Sequence, residues 1–105
     1  MSAPFPLKVG DTKREIARKF LQGGKVLANT DPSGVTMRIR AGETLVTRAM
    51  SRDANGVHWY YRFVDADFVA VPAGEYDVDF ELAWADGKAT DPSTGKYRLV
   101  VEATV

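Results

Sequence analysis

Three carboxylates at alternate positions are the strongest candidates for chemistry in this chain. Asp77, Asp79 and Glu81 are separated by single apolar residues, a spacing that places all of them on one face of a β-strand. Glycoside hydrolysis or calcium binding would require carboxylates that converge in a cleft. Because arginines occur on other strand-like segments, we interpret the carboxylates as a charged, solvent-facing sheet face and assign no catalytic residue.

The other residues that could take part in catalysis or metal binding do not form a known type of site. The chain has no cysteine and one histidine, His58, so a zinc site or a nucleophilic triad has no support. Gly23-Gly24-Lys25 lacks the remainder of a phosphate-binding loop. The similar segments 31–34 and 91–95 lack the repeated aspartates of a calcium loop and are predicted to be turns. The sequence therefore predicts a non-enzymatic protein without a metal or cofactor.

Charge and hydropathy restrict the partners. The 105 residues suit a single domain, and the 14 basic and 14 acidic residues cancel to a formal net charge of +0. A neutral chain has no electrostatic reason to bind nucleic acid or an anionic membrane. No apolar run approaches the roughly 20 residues of a membrane span, and the first residues lack the apolar core of a signal peptide. We therefore expect neither nucleic acid nor membrane among the partners.

The carboxylates lie on the clearest predicted strand, which begins after the turn at 72–74. On its other face we expect side chains of the core, namely Tyr76, Val78, Phe80, Leu82 and Trp84. Asp86-Gly87 is a tight hairpin turn, and a returning strand is expected to run to Ala103. Tyr76 occupies the position of a tyrosine corner, in which the hydroxyl bonds to nearby backbone.

Further strands and turns follow one another closely in the rest of the chain. Apolar and polar residues alternate over 35–40, another strand is expected over 44–50, and the turn 53–56 ends in Asn-Gly. Trp59 starts an aromatic face on alternate residues, and 65–70 is at most one helical turn. Short strands at regular spacing indicate an all-β sandwich rather than a parallel α/β sheet.

Segment 12–21 gives conflicting local signals. Thr12 and Glu15 form a capping box, and apolar residues at helical spacing precede the Gly-Gly turn. Taken as a strand, the segment alternates poorly. Local rules therefore put a short helix slightly ahead of a strand.

The N-terminal segment 1–6 contains prolines and is predicted to be an extended arm, with a single sandwich domain over 7–105. We expect this arm to become ordered on a neighbouring subunit, with Phe5 and Pro6 as its contacts. The last residues, 100–105, would extend a neighbour's sheet in the same way.

Tyr60 is the aromatic residue best suited to contact a partner. Because Trp59 and Tyr61 share one face of a strand, Tyr60 lies on the opposite face. There it would bind a partner chain or stack on a sugar, although a tyrosine lying along the sheet surface is the plainer interpretation. Asn55 and Pro92, in two exposed end loops, are further partner-binding candidates.

Taken in order, the turns and strands resemble those of a known family. The order is Val-Gly-Asp-Thr at 9–12, a Gly-Gly turn at 23–24, the Val-Thr-Met-Arg-Ile-Arg strand at 35–40, Asp-Ala-Asn-Gly at 53–56, Pro-Ala-Gly-Glu-Tyr at 72–76 and Trp-Ala-Asp-Gly-Lys at 84–88. It resembles the small immunoglobulin-like domains of tailed-phage virion proteins, in particular the N-terminal domain of baseplate upper proteins. The resemblance covers nearly the whole chain.

The resemblance implies a fold. We expect an immunoglobulin-like antiparallel β-sandwich of about seven to nine strands. In that family the segment after Gly-Asp-Thr is a strand, so we predict a strand over 12–21 against the local helix signal. Trp59, Tyr76, Phe80 and Trp84 are then structural residues of the sandwich.

The resemblance also implies a role. Such domains are structural parts of a tail, baseplate or head appendage, often in several copies. The baseplate proteins continue into long C-terminal regions, whereas this sequence stops at Val105, which favours an adaptor or the base of a fibre or spike. We expect a virion protein, made in the bacterial cytoplasm, that contacts tail, baseplate, portal-adaptor, fibre or capsid subunits. The alternatives are a capsid decoration protein and a carbohydrate-binding module that uses Tyr60 or Trp84 as a stacking platform.

Overall fold

A computed structural model describes residues 5–10 and 15–103 as a mostly β fold with one short helix, which confirms the all-β part of the prediction. The elements of these residues, in chain order, are β1 (Phe5–Lys8), β2 (Glu15–Arg18), β3 (Leu21–Gln22), β4 (Lys25–Val26), β5 (Gly34–Ala41), β6 (Thr44–Ala49), β7 (Ser51–Arg52), β8 (Trp59–Arg62), α1 (Asp67–Ala70), β9 (Gly74–Trp84), β10 (Gly87–Asp91) and β11 (Tyr97–Glu102). The helix lies inside the segment for which one helical turn was predicted.

The main sheet is built around β9. One edge of β9 pairs with β5, which pairs in turn with β6, and the other edge pairs with both β10 and β11. All of these pairs are antiparallel, while β1 joins the far edge of β11 in parallel. Arg38 lies directly opposite Asp79 in the β5–β9 register, so the arginine-bearing and acidic strands are neighbours.

A second, smaller sheet has the order β2-β8-β7. The chain passes into it from the main sheet at Met50, between β6 and β7. Met50 is buried, and its N–H donates to the carbonyl of Val35 over 2.9 Å. A separate hairpin pairs β3 with β4, and the positive φ angles of Gly23 and Gly24 suit its two-residue turn.

The buried apolar residues of both sheets belong to one hydrophobic cluster. Phe80 is one of its fully buried members, at 0% exposed. The Phe80 ring lies 5.7 Å from that of Phe20 and 6.0 Å from that of Tyr97, measured between ring centroids. Trp59, on β8, is also buried in this cluster, whereas Trp84 at the end of β9 is only partly buried against it.

Tyr76 fixes the turn that precedes β9. Its hydroxyl donates to the carbonyl of Pro72 over 2.5 Å, which is the type of bond expected of a tyrosine corner. Gly74 has a φ of +155°, and a Cβ there would lie 3.2 Å from the Tyr76 hydroxyl oxygen. A side chain at this position would therefore crowd the ring as well as strain the backbone.

The returning strand is split, which differs from the single strand expected. Asp91 lies opposite Phe80, and Tyr97 lies opposite Val78. Residues 92–96 therefore all stand opposite one residue of β9, Asp79, and form a loop between β10 and β11.

The predicted N-terminal arm over 1–6 overlaps with the first strand of the main sheet. Strand β1 begins at Phe5, so Phe5 and Pro6 belong to the main sheet, and residues 1–4 lie outside the described residues. The Phe5 ring packs against those of Phe80 and Tyr97, at 6.1 and 5.8 Å between centroids. These apolar contacts hold Phe5 to its own core, and Pro6 is tolerated because β1 is an edge strand.

Segment 12–21 contains the strand β2 at Glu15–Arg18, while Thr12 lies outside the described residues. β2 pairs with β8, with Ile16 opposite Tyr61. Ile16 is buried in the shared core. Pairing with a distant strand and burial of its apolar face therefore override the local capping signal.

Replacing Phe80 with alanine should lower the free energy of unfolding by roughly 3–5 kcal/mol, because it removes a fully buried ring. Urea denaturation followed by tryptophan fluorescence measures this change. Val69→Ala is the matched control, since Val69 is 85% exposed and its truncation should change stability by less than about 0.5 kcal/mol. Equal, small effects of both substitutions would contradict the assigned core.

Candidate docking groove

The acidic face of β9 is not uniformly exposed, which corrects the sequence interpretation. Asp79 is only 4% exposed. Its carboxylate accepts hydrogen bonds from Arg38 Nε at 2.6 Å and from Lys96 Nζ at 2.5 Å. Arg38 and Lys96 cover the Asp79 carboxylate. Lys96 reaches it from the 92–96 loop, which the sequence pattern did not reveal.

The environment of Asp79 holds it in the charged form. Burial by itself would raise its pKa, but the hydrogen bonds from Arg38 and Lys96 and their positive charges lower the pKa below its ordinary value. Glu81 accepts from Arg38 at 3.3 Å, and Asp77 is exposed. In the part of the chain that the structure describes, no group of three or more acidic or histidine side chains is arranged to hold a metal ion.

A second carboxylate, Asp67, fixes the short helix. It accepts hydrogen bonds from the Tyr61 hydroxyl and Arg48 Nε, both at 2.7 Å, and from the backbone N–H of Val64 at 2.9 Å. Burial and the bond to Asp67 raise the pKa of Tyr61 to about 12. All these partners stabilise the crossing between β8 and β9, so we assign this cluster a structural role.

Arg18 joins the two sheets at one end of the core. Its Nη2 donates to Asp91 at 2.9 Å and to the hydroxyl of Tyr97 at 2.8 Å. The guanidinium carbon lies 4.5 Å from the centroid of the Tyr97 ring and 5.5 Å from that of Phe80, within cation–π range. This contact couples the smaller sheet to β10 and β11, and nothing in the local sequence indicated it.

Beyond this end of the core, the structure has an open groove of about 610 Å³. The β3–β4 hairpin contributes Leu21 to one side, β10 contributes Ala89 to the other, and Leu82 and Trp84 of β9 lie between them. Leu21 and Val26 are cross-strand partners in the hairpin and remain 57% and 47% exposed. Apolar side chains therefore form part of the groove lining and of the exposed surface beside it.

Carboxylates and one lysine also line the groove. Asp31, Asp86 and Asp91 line the groove together with Lys88. Asp91 is already bonded to Arg18, and Lys88 lies 3.7 Å from Glu81. The rim is consequently polar and mildly acidic, a composition that protein and sugar ligands both use.

The outer edge of β10 forms one wall of the groove, and in the described part of the chain no strand pairs with it. Trp84 and Gly87 flank a two-residue hairpin loop, so they form a hydrogen-bonded pair. From there along β10, non-hydrogen-bonded and hydrogen-bonded pairs with β9 alternate. The backbone groups of Lys88 and Thr90 therefore point away from β9. In agreement, the carbonyl of Ala83, opposite Lys88, bonds on the other side to the N–H of Ser33 over 2.7 Å.

The partner-binding residues predicted from sequence lie elsewhere. Phe5 and Pro6 are in β1, Tyr60 is half-buried on β8, and Pro92 is half-buried in the loop between β10 and β11. The Asn55 side chain is engaged in its own turn, where its carbonyl accepts from the N–H groups of Val57 and His58 at 2.9 Å. None of these predicted residues lines the groove.

The groove residues that sequence analysis missed carry weak signals. Leu21 and Val26 flank the Gly-Gly turn symmetrically, which is a hairpin signature with apolar residues at its ends. Ala89 has no distinguishing chemistry, and its importance comes only from its place on an open edge. Trp84 was not missed: it was assigned a structural role and, in the carbohydrate-binding alternative, a stacking role, and the structure places it in the lining of the groove.

Comparison of the chain with protein-family models gives no match, and comparison with curated proteins gives none either. Within the described residues, no helix has the length and apolar character needed to cross a membrane.

Asp79→Asn should lower the free energy of unfolding at pH 7 by about 1–3 kcal/mol, because charged hydrogen bonds are lost. The folded-state pKa of Asp79 is lowered, so its contribution is fully present above the unfolded value of about 4 and is lost as the pH falls from there through the folded-state pKa. The stability difference between wild type and variant should therefore shrink below pH 4, as measured by urea unfolding at each pH. Asp77→Asn, on the same face but exposed, is the control, and a pH-independent difference for Asp79→Asn would contradict the assignment.

Proposed function

We propose that this chain is an immunoglobulin-like β-sandwich domain that serves as a non-enzymatic structural protein of a tailed phage or phage-like particle. The fold assignment is supported by two sheets that share one core, by the Tyr76–Pro72 bond and by the ordered turn motifs of the sequence. The role is supported by the resemblance of these motifs to domains of tailed-phage virion proteins.

The observation that carries the proposal is the open edge of β10 beside an exposed apolar hairpin. An unpaired edge strand offers backbone donors and acceptors to another chain. Leu21 and Val26 add apolar surface next to it, which association would bury. By contrast, Asp67 and Asp79 are bonded within the fold, so the strongest polar clusters serve stability and the groove serves contact.

In this proposal the protein is an adaptor or the base of a fibre or spike, in several copies, and its partners are tail, baseplate, portal-adaptor, fibre or capsid subunits. It is made in the bacterial cytoplasm and resides in the virion. A capsid decoration protein is the variant of the same proposal that would need far more copies.

The proposed role predicts that the protein co-purifies with particles from its source. Quantitative mass spectrometry of purified particles should detect it at a fixed ratio to the major capsid protein. A copy number of about a few to a few dozen per particle is the order of magnitude of a symmetric appendage and would indicate a tail or spike component. A copy number in the hundreds would indicate a decoration protein. Absence from the particles would contradict the virion role.

A second candidate function is carbohydrate binding, favoured by Trp84, Asp31 and Asp86 together in the lining of the groove. An aromatic ring that stacks on a sugar and carboxylates that accept its hydroxyl bonds form a suitable chemical set.

A glycan array with wild type and Trp84→Ala tests this second candidate. Sugar binding that disappears in Trp84→Ala, with an unchanged thermal unfolding midpoint, would support it over the structural role. Val69→Ala is the control, because Val69 is exposed and lies outside the groove. No bound glycan, or binding equal in wild type and Trp84→Ala, would contradict it.

A further inference from the structure

We propose that the partner of the open β10 edge is a second copy of this chain, paired antiparallel about a two-fold axis at Ala89. This dimer would be one of the protein–protein contacts of the proposed structural role, and its biological meaning rests on that proposed function. It is drawn from the backbone alternation, the side chains of β10 and the charge of the chain.

The backbone of β10 allows this pairing in a definite register. Lys88 and Thr90 present their N–H and C=O groups outward, on either side of Ala89. With the axis at Ala89, Lys88 of each copy lies opposite Thr90 of the other. The outward N–H and C=O groups of these two residues then face each other and form hydrogen-bonded pairs. A register centred on Thr90 would instead bring Lys88 opposite Pro92, which has no N–H to donate.

The side chains of β10 are compatible with the same register. Ala89 would lie opposite itself, where strands approach closely in a non-hydrogen-bonded pair, and its methyl group leaves room. Asp91 would lie opposite Gly87, which has no side chain. Lys88 would lie opposite Thr90, so like charges do not meet.

Charge and apolar area also favour a second copy. The formal net charge of +0 means that two copies do not repel each other over distance. Each copy brings an exposed Leu21–Val26 pair near the joined edge, on the side of the sheet where Ala89 lines the groove. An interface of one strand pair and two hairpins is small, so we expect a concentration-dependent dimer with a Kd of roughly micromolar or weaker.

In the proposed dimer, Ala89 of one copy lies opposite Ala89 of the other, and substitutions at this position test the pairing directly. Sedimentation equilibrium of the purified chain, from about 1 μM to 1 mM to bracket that Kd, should give a mass that rises from 11.5 kDa towards the dimer. Ala89→Glu and Ala89→Lys should each abolish this rise, since like charges then meet at the axis. An equimolar mixture of the two variants should restore it, because only the mixed pair joins opposite charges.

Matched controls separate this contact from general effects of charge and folding. Thr47→Glu and Thr47→Lys place the same charges at an exposed position of β6, on a different sheet edge, and should leave self-association unchanged. Thr90→Pro should abolish it, because proline removes an outward N–H without removing a bond to β9. Thermal unfolding of each variant confirms that the chain is folded.

Several outcomes would overturn the proposal. A mass of 11.5 kDa at all concentrations, or no gain on mixing the two Ala89 variants, would show that a second copy does not occupy the edge. A dimer that forms only after removal of residues 1–4 would assign the edge to the chain's own N-terminal segment, and glycan binding through Trp84 would assign the groove to a sugar. Presence in particles without self-association would refute the dimer and leave the structural role standing.

Discussion

Strand β9 has to be covered on both faces, and the rest of the structure depends on this constraint. Phe80 points into the core and is 0% exposed, while its neighbour Asp79 points to the opposite face and is still only 4% exposed. An apolar ring needs packed neighbours, whereas a buried carboxylate needs charged donors. The rings of Phe5, Phe20 and Tyr97 provide the first. The clamp formed by Arg38 and Lys96 provides the second, so one strand organises an apolar layer and a polar layer.

The clamp on Asp79 has a topological consequence. Lys96 reaches Asp79 because residues 92–96 leave the sheet as a loop, and this loop divides the returning strand into β10 and β11. β1 then pairs with β11 alone. Within the described residues, the outer edge of β10 is consequently left open, beside the hairpin and the groove. The loop that buries Asp79 thus separates β11, which is paired on both edges, from β10, which in the described residues is paired on one edge only.

The sequence predicts local features of this fold better than long-range ones. The alternation along β9, the turn at 53–56 and the Tyr76 bond follow from residues close in the chain, and they are present. The predicted Asp86-Gly87 turn lies one residue earlier, at Ala85-Asp86, and Gly87 is the first residue of β10. Burial of Asp79 was not predictable, because it depends on Lys96 arriving from a loop whose length has no periodic signal. Phe5 was assigned to a free arm because prolines surround it, and only the distant rings of Phe80 and Tyr97 explain its place in the sheet. Ala89 could not be singled out, since an open edge is a property of topology and not of residue type.

The most direct measurement is amide hydrogen exchange of peptides that cover β10, compared between the free protein and the protein in assembled particles. If the open edge is where this chain binds its neighbours, the outward amides of Lys88 and Thr90 should exchange measurably more slowly in the particle, because pairing protects them. The β6 edge at Thr44–Ala49 provides the internal reference. Unchanged exchange over β10, together with protection confined to other segments, would contradict the account.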